Sequence, residues 1–499
     1  MEIRYYGMQK TTGEYRHVLQ SVSLLGSVQV VSIFLGLVRN KCIAVLLGPT
    51  GMGLLSLYNG VIKFFADTTT MGVPVSGVRK LTAEENVLAD MHRHRMAEHV
   101  AVIRCWSLLA AVVGMLVCMA SAPWVAAVVF EGNHCADLLL LSICVGLTAV
   151  SGGEMAILKG FRRLHSLAKV SVWQALWVLL LTTPTIYIYR ERAIVASLLL
   201  ASLLQCLLAF RHSLPLCPWT FPLRFSYLRQ GVGMVRLGMG LVLAGIMGSG
   251  MELLLRSFLG EGSLQDLGYY NAGYMLTVTY GSMVFAALEY DFFPRLSATC
   301  ACGKRPRINA CVSRQVEMSL LFIAPMVAVL LACLPLLLPL LFSGRFMPVV
   351  GMLQFSLPSL LFRSVSLPTA YLTLAKDDAR SYLLTEMVYD IGMLGLLWGG
   401  YRLGGVTGMG VFFLVVSAFY ALFLQGYMFH KYRFVLSSYA IRIFSVHFTL
   451  LLIELGVVRL MDGWMYVVGC AGLVTANVMF TWRQLQRMGF GQQTKGQKE

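Results

Sequence analysis

Charged residues are scarce in this sequence. Only 13% of the 499 residues are Asp, Glu, Lys or Arg, whereas 57% are hydrophobic. A soluble domain usually carries about 25% charged residues. Apolar stretches of roughly 20 residues, the length that crosses a bilayer as a helix, recur from end to end. The composition therefore excludes an ordinary soluble enzyme and predicts an all-α polytopic membrane protein.

Paired cysteines and long polar loops are also missing. The twelve cysteines include no CxxC pair and have no histidine partner at metal-ligand spacing, so we expect free thiols, no metal site and no cofactor. No polar segment exceeds about 25 residues, which is too short for an appended soluble domain. Membrane glycosyltransferases and polymerases usually expose a sizeable extracytoplasmic loop that carries catalytic groups. We therefore expect that this chain is not an enzyme.

Fourteen apolar segments predict about fourteen transmembrane helices. They lie near residues 20–47, 52–78, 105–130, 136–158, 168–189, 192–211, 233–258, 268–296, 317–342, 347–376, 382–402, 407–429, 440–460 and 463–482. Three prolines within them, Pro74, Pro184 and Pro358, are candidate kink sites.

The distribution of Lys and Arg predicts the orientation of the chain. Most of the 40 basic residues fall in the N-terminal segment, in every second loop and in the C-terminal tail. Short loops rich in Lys and Arg stay in the cytoplasm. We therefore expect both termini in the cytoplasm. The net charge of +16 then reflects this bias and does not indicate a nucleic-acid partner.

One hinge-like segment occurs twice. Residues 47–60 read LGPTGMGLLSLYNG, and residues 259–273 read LGEGSLQDLGYYNAG. The span that follows each copy ends in basic residues, Arg79-Lys80 in the first case and Arg295 in the second. The repetition predicts a duplicated unit of six helices.

A second pair of landmarks sets the limits of the duplicated units. Lys159 follows the first hinge, and Lys376 follows the second at nearly the same distance. An even number of spans inserts both copies in the same orientation, with a substrate site expected where the copies meet. The predicted domains are six-helix bundles at 1–212 and 213–430, followed by two additional helices and a tail at 431–499.

The second predicted span carries a polar seam. Ser56, Asn59, Lys63, Asp67 and Thr70 recur at helical spacing, which places all five on one face. A charged group deep in a bilayer costs about 2.5–3.5 kcal/mol on insertion scales, so it normally faces a cavity or a partner. The seam therefore indicates an intramembrane binding surface with a cation near its middle.

Two of the intramembrane cations have an acidic residue one turn away. Lys63 and Asp67, and likewise Glu252 and Arg256, have i,i+4 spacing. Opposite charges at this spacing attract each other on one helix. Internal ion pairs that hold helices together are therefore an alternative to a binding role for these four side chains.

Three further cations have no acidic residue within a turn. Arg39 and Lys41 point about 200° apart on a helix, so periodicity does not decide which of them faces a cavity. Arg363 lies near the middle of the tenth span. These three residues favour a cavity for an anion, because several cations in a wet cleft can replace the hydration of a diphosphate.

Several of these segments resemble the Wzx flippases of the MOP superfamily, which also contains the MATE drug exporters and the lipid II flippase. They are the hinge LLGPTGMGLLSLYNG, GVRKLTA and ILKGFRR at the ends of the second and fourth spans, and GYYNAGY…FFPRLSA. The resemblance covers about residues 20–430. Enterobacterial Wzx proteins typically have a basic residue seven positions before the hinge glycine. That position is Lys41 here, which favours Lys41 over Arg39 as the cavity residue.

The resemblance implies a MATE-like fold and a function. Two six-helix bundles would surround a cationic cavity that opens alternately to the two sides. The substrate would be undecaprenyl-diphosphate-linked oligosaccharide, such as an O-antigen repeat unit, carried across the bacterial inner membrane. The two extra helices would form a groove for the lipid tail, as similar helices do in the lipid II flippase.

Three groups of residues are candidate site residues. The diphosphate would be bound by the cations Arg39, Lys41, Lys63, Arg256 and Arg363. The sugar path would include Tyr58, Asn59, Asn271 and Tyr274. Coupling to H⁺ or Na⁺, if present, would use the carboxylates Asp67, Glu154, Glu252 or Glu289.

The main alternative is a MATE-type cation-coupled multidrug exporter with the same fold, and a lipid II flippase is another. The exporter needs an acid-rich cavity, whereas the mid-span charges without a local partner are basic here. A membrane glycosyltransferase or polymerase is disfavoured by the short loops. The expected partners are the lipid-linked glycan, the bilayer and the polysaccharide polymerase machinery, and the expected oligomeric state is a monomer.

Overall fold

A computed structural model describes residues 2–83, 89–161, 163–218, 225–289, 292–301, 303 and 305–488. Side chains are described from residue 31 onward, except at 75, 79–80, 82–83, 89–95, 164, 225 and 234–241. Arg162 and the side chains of Arg79 and Lys80, which belong to the sequence landmarks, lie outside the described residues. Within the described residues every regular element is a helix. This confirms the all-α fold class.

Sixteen α-helices follow one another along the described chain. They are α1 (Glu2–Thr69), α2 (Val73–Ala83), α3 (Ala89–Val129), α4 (Cys135–Gly160), α5 (Leu164–Tyr189), α6 (Ala193–Ser213), α7 (Phe225–Gly262), α8 (Leu264–Tyr274), α9 (Gly281–Glu289), α10 (Phe292–Ala301), α11 (Arg305–Leu341), α12 (Val349–Ser356), α13 (Ser359–Ala375), α14 (Ala379–Tyr432), α15 (Ser438–Leu460) and α16 (Gly463–Arg487). Two 3₁₀ turns, Arg190–Arg192 and Gly344–Phe346, and a π-helical segment, Met275–Tyr280, lie between them.

Many of these helices are long enough to cross a membrane. Among the described residues, nine helices are long and apolar enough to span a membrane, or ten if the bent pair α12–α13 is counted as one span. Two of the long helices contain breaks, at Gly48 in α1 and at Gly404 and Gly405 in α14. The protein is therefore a multi-pass membrane protein, and the number of fourteen spans stays a prediction.

Both hinge segments of the sequence fall at helix breaks. Gly48 has φ 68° and ψ −168°, a combination that is essentially restricted to glycine. Pro49 then starts the next limb of α1, where its missing N–H is no loss. In the second segment Ser263 caps α8 and accepts a hydrogen bond from the backbone N–H of Asp266 at 3.2 Å. The two breaks are thus made by different local chemistry.

The three candidate kink prolines affect their helices differently. Helices α12 and α13 meet at Pro358 with a bend of 44°, so this kink is confirmed. Pro74 lies in the first turn of α2, directly after a break at Gly72, which has φ 68°. The second span is therefore not one helix through residue 78, as expected from hydropathy. Helix α5 continues through Pro184.

The chain folds into two compact units, Met1–Leu253 and Leu254–Glu499. Helix α7 contains the boundary between them. The predicted domain limits at 1–212, 213–430 and 431–499 stay a prediction.

In the N-terminal unit, α2, α3 and α4 enclose an apolar core. Its most buried residues are Val73, Leu81, Val100, Val102, Ile103 and Ile157. Gly153 lets α4 approach α3, because a β-carbon at this position would collide with the side chain of Ser107. This core supports the helices that carry Arg104 and Glu154.

In the C-terminal unit, α11 packs against α13, α15 and α16. Helix α15 is attached at both ends. At its start, Ser437 Oγ donates to Glu317 Oε1 of α11 at 2.7 Å. At its end, Arg459 lies over the ring of Phe355 at 4.5 Å and donates to Gln354 Oε1 at 3.2 Å. The two additional helices are therefore an integral part of this unit.

Candidate functional site

The polar seam of α1 faces polar residues of α7 within the N-terminal unit. Lys63 Nζ lies 2.8 Å from Glu252 Oε2. Asp67 interacts electrostatically with Lys63 and Glu252. The Lys63 side chain is 55% exposed, and that of Glu252 is 16% exposed. Lys63 thus has an ion-pair partner on another helix, and more than half of its side chain remains exposed.

Tyr58, a candidate for the sugar path, is almost completely buried. Its hydroxyl donates to Asp137 Oδ2 at 2.6 Å and lies 3.0 Å from His134 Nδ1. His134 and Asp137 are themselves 2.7 Å apart, and the ring of Phe130 packs against Tyr58 at 5.3 Å. These contacts tie α1 to the turn between α3 and α4. Sequence periodicity gave no sign of this cluster, because Tyr58 is more than 70 residues from its other members.

Asn59 has the opposite environment. Its side chain is exposed, and its amide donates to the backbone carbonyl of Leu55 at 2.9 Å. Its carboxamide oxygen is therefore available to a hydroxyl group of a ligand. Of the two neighbouring sugar-path candidates, Asn59 is accessible and Tyr58 supports the structure around it.

Arg39 and Lys41 lie in the first limb of α1, before the break at Gly48. Both side chains are partly buried, so their exposure does not show which of them faces a cavity. Arg39 Nε is buried and has no hydrogen-bond partner among the described residues. A guanidinium nitrogen in this state is a candidate donor to an incoming anion.

Glu154 forms a buried ion pair that the sequence did not reveal. Arg104 Nε and Nη2 lie 2.8 Å and 3.1 Å from the two carboxylate oxygens of Glu154. Ser213 Oγ donates to Glu154 Oε2 at 2.5 Å. Arg104 also donates to the backbone carbonyl of Cys217 at 3.0 Å. Through these contacts, the ion pair and Ser213 join α3, α4 and α6 to the segment after α6. Both charged side chains are at most 3% exposed.

In the C-terminal unit, Arg256 and the second hinge lie close together. The Arg256 guanidinium carbon is 5.8 Å from the centre of the Tyr274 ring, a cation–π distance. The Tyr274 and Tyr270 rings are 5.7 Å apart. Asn271, on the same helix, is partly buried. The structure therefore brings the candidates Arg256 and Tyr274 into contact.

Arg363 lies in a polar group formed by α9 and α13. Its Nη2 donates to Ser282 Oγ at 3.1 Å, and its guanidinium lies 5.7 Å from the Phe285 ring centre. Glu289 Oε2 accepts a hydrogen bond from Tyr371 at 2.9 Å, and Glu289 interacts electrostatically with Arg363. The other carboxylate oxygen, Oε1, is buried without a hydrogen-bond partner among the described residues.

Two more carboxylates belong to this part of the C-terminal unit. Glu386 of α14 interacts electrostatically with Arg363 and with Asp390, one turn further along. Local sequence shows no acidic residue near Arg363, because these partners come from other helices. The group combines one guanidinium with several carboxylates and is suited to bind a small cation as well as an anionic ligand.

The sequence of this chain matches a family of known proteins. Residues 42–351 match the model of a family described as polysaccharide biosynthesis protein, which is more than half of the chain. No curated protein sequence matches the chain.

Solved structures show the same fold. The chain is similar to the lipid II flippase MurJ in an inward closed conformation, with a TM-score of 0.71 and 13% identity, over 93% of this chain and 99% of that chain. It is similar to an inward-facing multidrug resistance MATE transporter of the MOP superfamily, with a TM-score of 0.66 and 12% identity, over 83% and 98% of the two chains.

A MOP superfamily transporter from Pyrococcus furiosus, described by the reverse polarity of its binding pocket, is also similar. Its TM-score is 0.51 at 11% identity, over 88% of this chain and 95% of that chain. At such low identities the likeness establishes the fold alone.

Proposed function

Because the chain belongs to the polysaccharide biosynthesis protein family and has the fold of MOP superfamily transporters, we propose that it is a flippase for undecaprenyl-diphosphate-linked oligosaccharide. It would carry a surface-polysaccharide repeat unit, such as that of O-antigen, across the bacterial inner membrane by alternating access. Both termini would lie in the cytoplasm. The lipid-linked glycan is the partner, with the polymerase machinery receiving it on the other side.

Lys63, with its exposed side chain, is the residue that carries this proposal. It lies within a transmembrane helix, and its side chain is 55% exposed although Glu252 is only 2.8 Å away. A purely structural ion pair in a membrane is expected to be enclosed by protein, since water screens the attraction and contact with hydrocarbon adds a desolvation cost. An exposed lysine can donate a hydrogen bond to a phosphate oxygen while it remains next to Glu252.

Other cations are proposed to contact the diphosphate. In the N-terminal unit these are Arg39, with its unpartnered Nε, and Lys41. In the C-terminal unit they are Arg256 and Arg363. Guanidinium groups suit this role because they bind phosphate oxygens in pairs. The C55 tail would stay in the lipid phase, which avoids the cost of hydrating it.

The glycan is proposed to contact polar and aromatic side chains near the hinges. Asn59 and Asn271 would hydrogen-bond sugar hydroxyls, and Tyr274 would stack on a sugar face. Tyr58 is buried, so its proposed contribution is to hold α1 in place beside Asn59. Alternating access would use the helix breaks at Gly48 and Ser263.

Coupling to a cation is proposed at Glu289. Its Oε1 is buried without a hydrogen-bond partner among the described residues, and Tyr371 orients the other oxygen. Protonation, or a bound Na⁺, would satisfy this oxygen. Asp67 and Glu252 are weaker candidates because Lys63 already lies beside them. Glu154 is the weakest, because Arg104 and Ser213 occupy its carboxylate.

Helices α15 and α16 are proposed to guide the lipid tail. Large apolar side chains on α16 are exposed, among them Trp464, Met465 and Trp482. Such a surface is suited to acyl or prenyl chains and not to water.

Deletion of the gene in the native host tests the proposal. We expect lipid-linked glycan intermediates to accumulate on the inner leaflet and the surface polysaccharide to be lost. Restoration by the wild-type gene, and not by the empty vector, is the control. Normal surface glycan together with hypersensitivity to cationic drugs would refute the flippase.

That outcome would support the second candidate, a MATE-type cation-coupled exporter. The carboxylates Glu289, Glu386 and Asp390 near Arg363 favour it, because a cationic drug needs acidic groups in the membrane. The cations Arg39 and Lys41 oppose it, since they would repel such a substrate.

A further inference from the structure

A cavity of about 580 Å³ opens on the N-terminal unit at the turn between α5 and α6. The turn itself, residues 188–192, forms its wall, and Leu46 and Leu47 of α1 lie opposite, just before the break at Gly48. The residues proposed above to bind the glycan, the diphosphate or a coupling ion do not line it. Its volume is within the range of about 300–1,000 Å³ that is usual for small-molecule sites.

The turn is held in an unusual conformation. Arg190 has φ 52°, which is uncommon for a residue other than glycine. Its Nη1 donates to the backbone carbonyl of Leu46 at 2.9 Å. This carbonyl belongs to the last turn of the first limb of α1, where helical carbonyls lack an intrahelical donor. The contact fixes the guanidinium at the edge of the cavity and leaves further N–H groups for a ligand.

The charges that line the cavity have a specific pattern. Arg190 and Arg192 are cationic, and Glu191 between them is anionic. Guanidinium groups bind phosphate oxygens with paired hydrogen bonds. A carboxylate accepts hydrogen bonds from a primary ammonium group. The matching ligand therefore carries both a phosphate and an ammonium group, whereas a purely anionic ligand would leave Glu191 without a counterpart.

The surroundings of the cavity indicate that the ligand is a lipid. Tyr187, Ile188 and Tyr189, which end α5, are 65%, 65% and 64% exposed. Tyrosine at the end of a transmembrane helix is typical of the bilayer interface, at the level of the head groups. Leu46, Leu47 and Ile188 provide apolar surface next to the charged turn.

We propose that this cavity binds a zwitterionic aminophospholipid. Arg190 and Arg192 contact the phosphodiester, and Glu191 accepts hydrogen bonds from the primary ammonium. The bound lipid lies against the last turn before Gly48, so it is part of the environment of this hinge. This site is separate from the proposed transport function and does not depend on which glycan is carried.

Native mass spectrometry of the purified full-length protein tests this site. The protein is titrated with dioleoyl-phosphatidylethanolamine, dioleoyl-phosphatidylcholine and dioleoyl-phosphatidylglycerol. We expect about fivefold tighter binding of phosphatidylethanolamine, the effect of one partly exposed ion pair. Choline lacks N–H donors, and glycerol lacks the positive charge. Equal binding of the three lipids would overturn the proposal.

Three variants assign the contacts. Glu191→Gln should reduce the affinity for phosphatidylethanolamine to that for phosphatidylcholine, and Arg192→Gln should weaken binding of all three lipids. Arg345→Gln, in the exposed 3₁₀ turn of the other unit, is the matched control and should change nothing. A preference that survives Glu191→Gln, or lipid binding that is unchanged in Arg192→Gln, would contradict the site.

A soluble probe distinguishes a site for a lipid from a site for a free phosphate compound. Glycerophosphoethanolamine carries the same phosphodiester and primary ammonium groups without acyl chains. We expect it to compete only weakly with the lipid. Binding of this probe as tight as that of the lipid would show a site for a soluble metabolite and overturn the assignment to a lipid.

Discussion

The environment of a charge in this protein depends on residues far away in sequence. Lys63 has Asp67 one turn away, yet it forms an ion pair with Glu252, 189 residues later. Arg363 has no acidic neighbour in its own helix, yet Glu289 and Glu386 interact with it. The sequence identifies which residues are charged within the membrane. It cannot identify their partners, because these are chosen by helix packing.

Replacement of Lys63 tests its proposed contact with the diphosphate. Lys63→Ala should lower the rate of glycan flipping about tenfold or more, since a charge-assisted phosphate contact contributes about 1.5–3 kcal/mol. Lys63→Arg should retain most of the activity. The measurement is restoration of surface polysaccharide in the deletion strain at equal protein level. The exposed Lys169→Ala is the control, and full restoration by Lys63→Ala would contradict the contact.

The Arg104–Glu154 pair should matter for stability. Both side chains are almost fully buried, so Arg104→Ala leaves an uncompensated carboxylate, at a cost of about 3–5 kcal/mol. We expect a clearly lower melting temperature of the purified protein in detergent. The double replacement Arg104→Met with Glu154→Leu should recover much of the loss. Arg211→Ala, at an exposed position, is the control. An unchanged melting temperature in Arg104→Ala would show that the pair is dispensable.

At the scale of helices, the sequence predicted where helices break better than where a helix runs without interruption. The repeated glycine-containing segments indicated hinges, and a break occurs in each. The bend at Pro358 was also predictable, because proline removes a backbone donor. The break at 70–72 was not predicted, because hydropathy assigns a span by its average over about 20 residues, and the short polar run 67–70 with Gly72 does not end such a span. Hydropathy records which residues prefer lipid and is insensitive to a local change of backbone direction.

Two glycines of α1 form a matched test of the first hinge. Gly48→Ala forces a β-carbon into a conformation with φ 68° and should destabilise the protein by about 1–3 kcal/mol. Gly36→Ala lies in a regular part of the same helix with no atom near the added carbon, and should be neutral or stabilising by up to about 1 kcal/mol. Thermal unfolding in detergent measures both. Equal effects would mean that Gly48 is not a required break.

At the scale of the whole chain, the charge distribution predicts orientation. Two of the partly accessible native thiols suit a test of this orientation, Cys135 at the start of α4 and Cys300 at the end of α10. With the other cysteines replaced by serine, a membrane-impermeant maleimide should label Cys135 in intact cells. It should label Cys300 only after the inner membrane is opened. The reverse pattern would place the termini outside and contradict the positive-inside assignment.

The sequence by itself determined the membrane character, the helical fold class, the family resemblance and the hinge positions. Each of these depends on local composition or spacing, which needs no knowledge of the fold. Only the tertiary structure decided that Tyr58 is buried on Asp137, that Arg104 neutralises Glu154, and that α15 is attached to α11. These contacts join residues more than 45 positions apart. Their physical reason is that a polar group in a membrane must find a partner, and packing determines which one it meets.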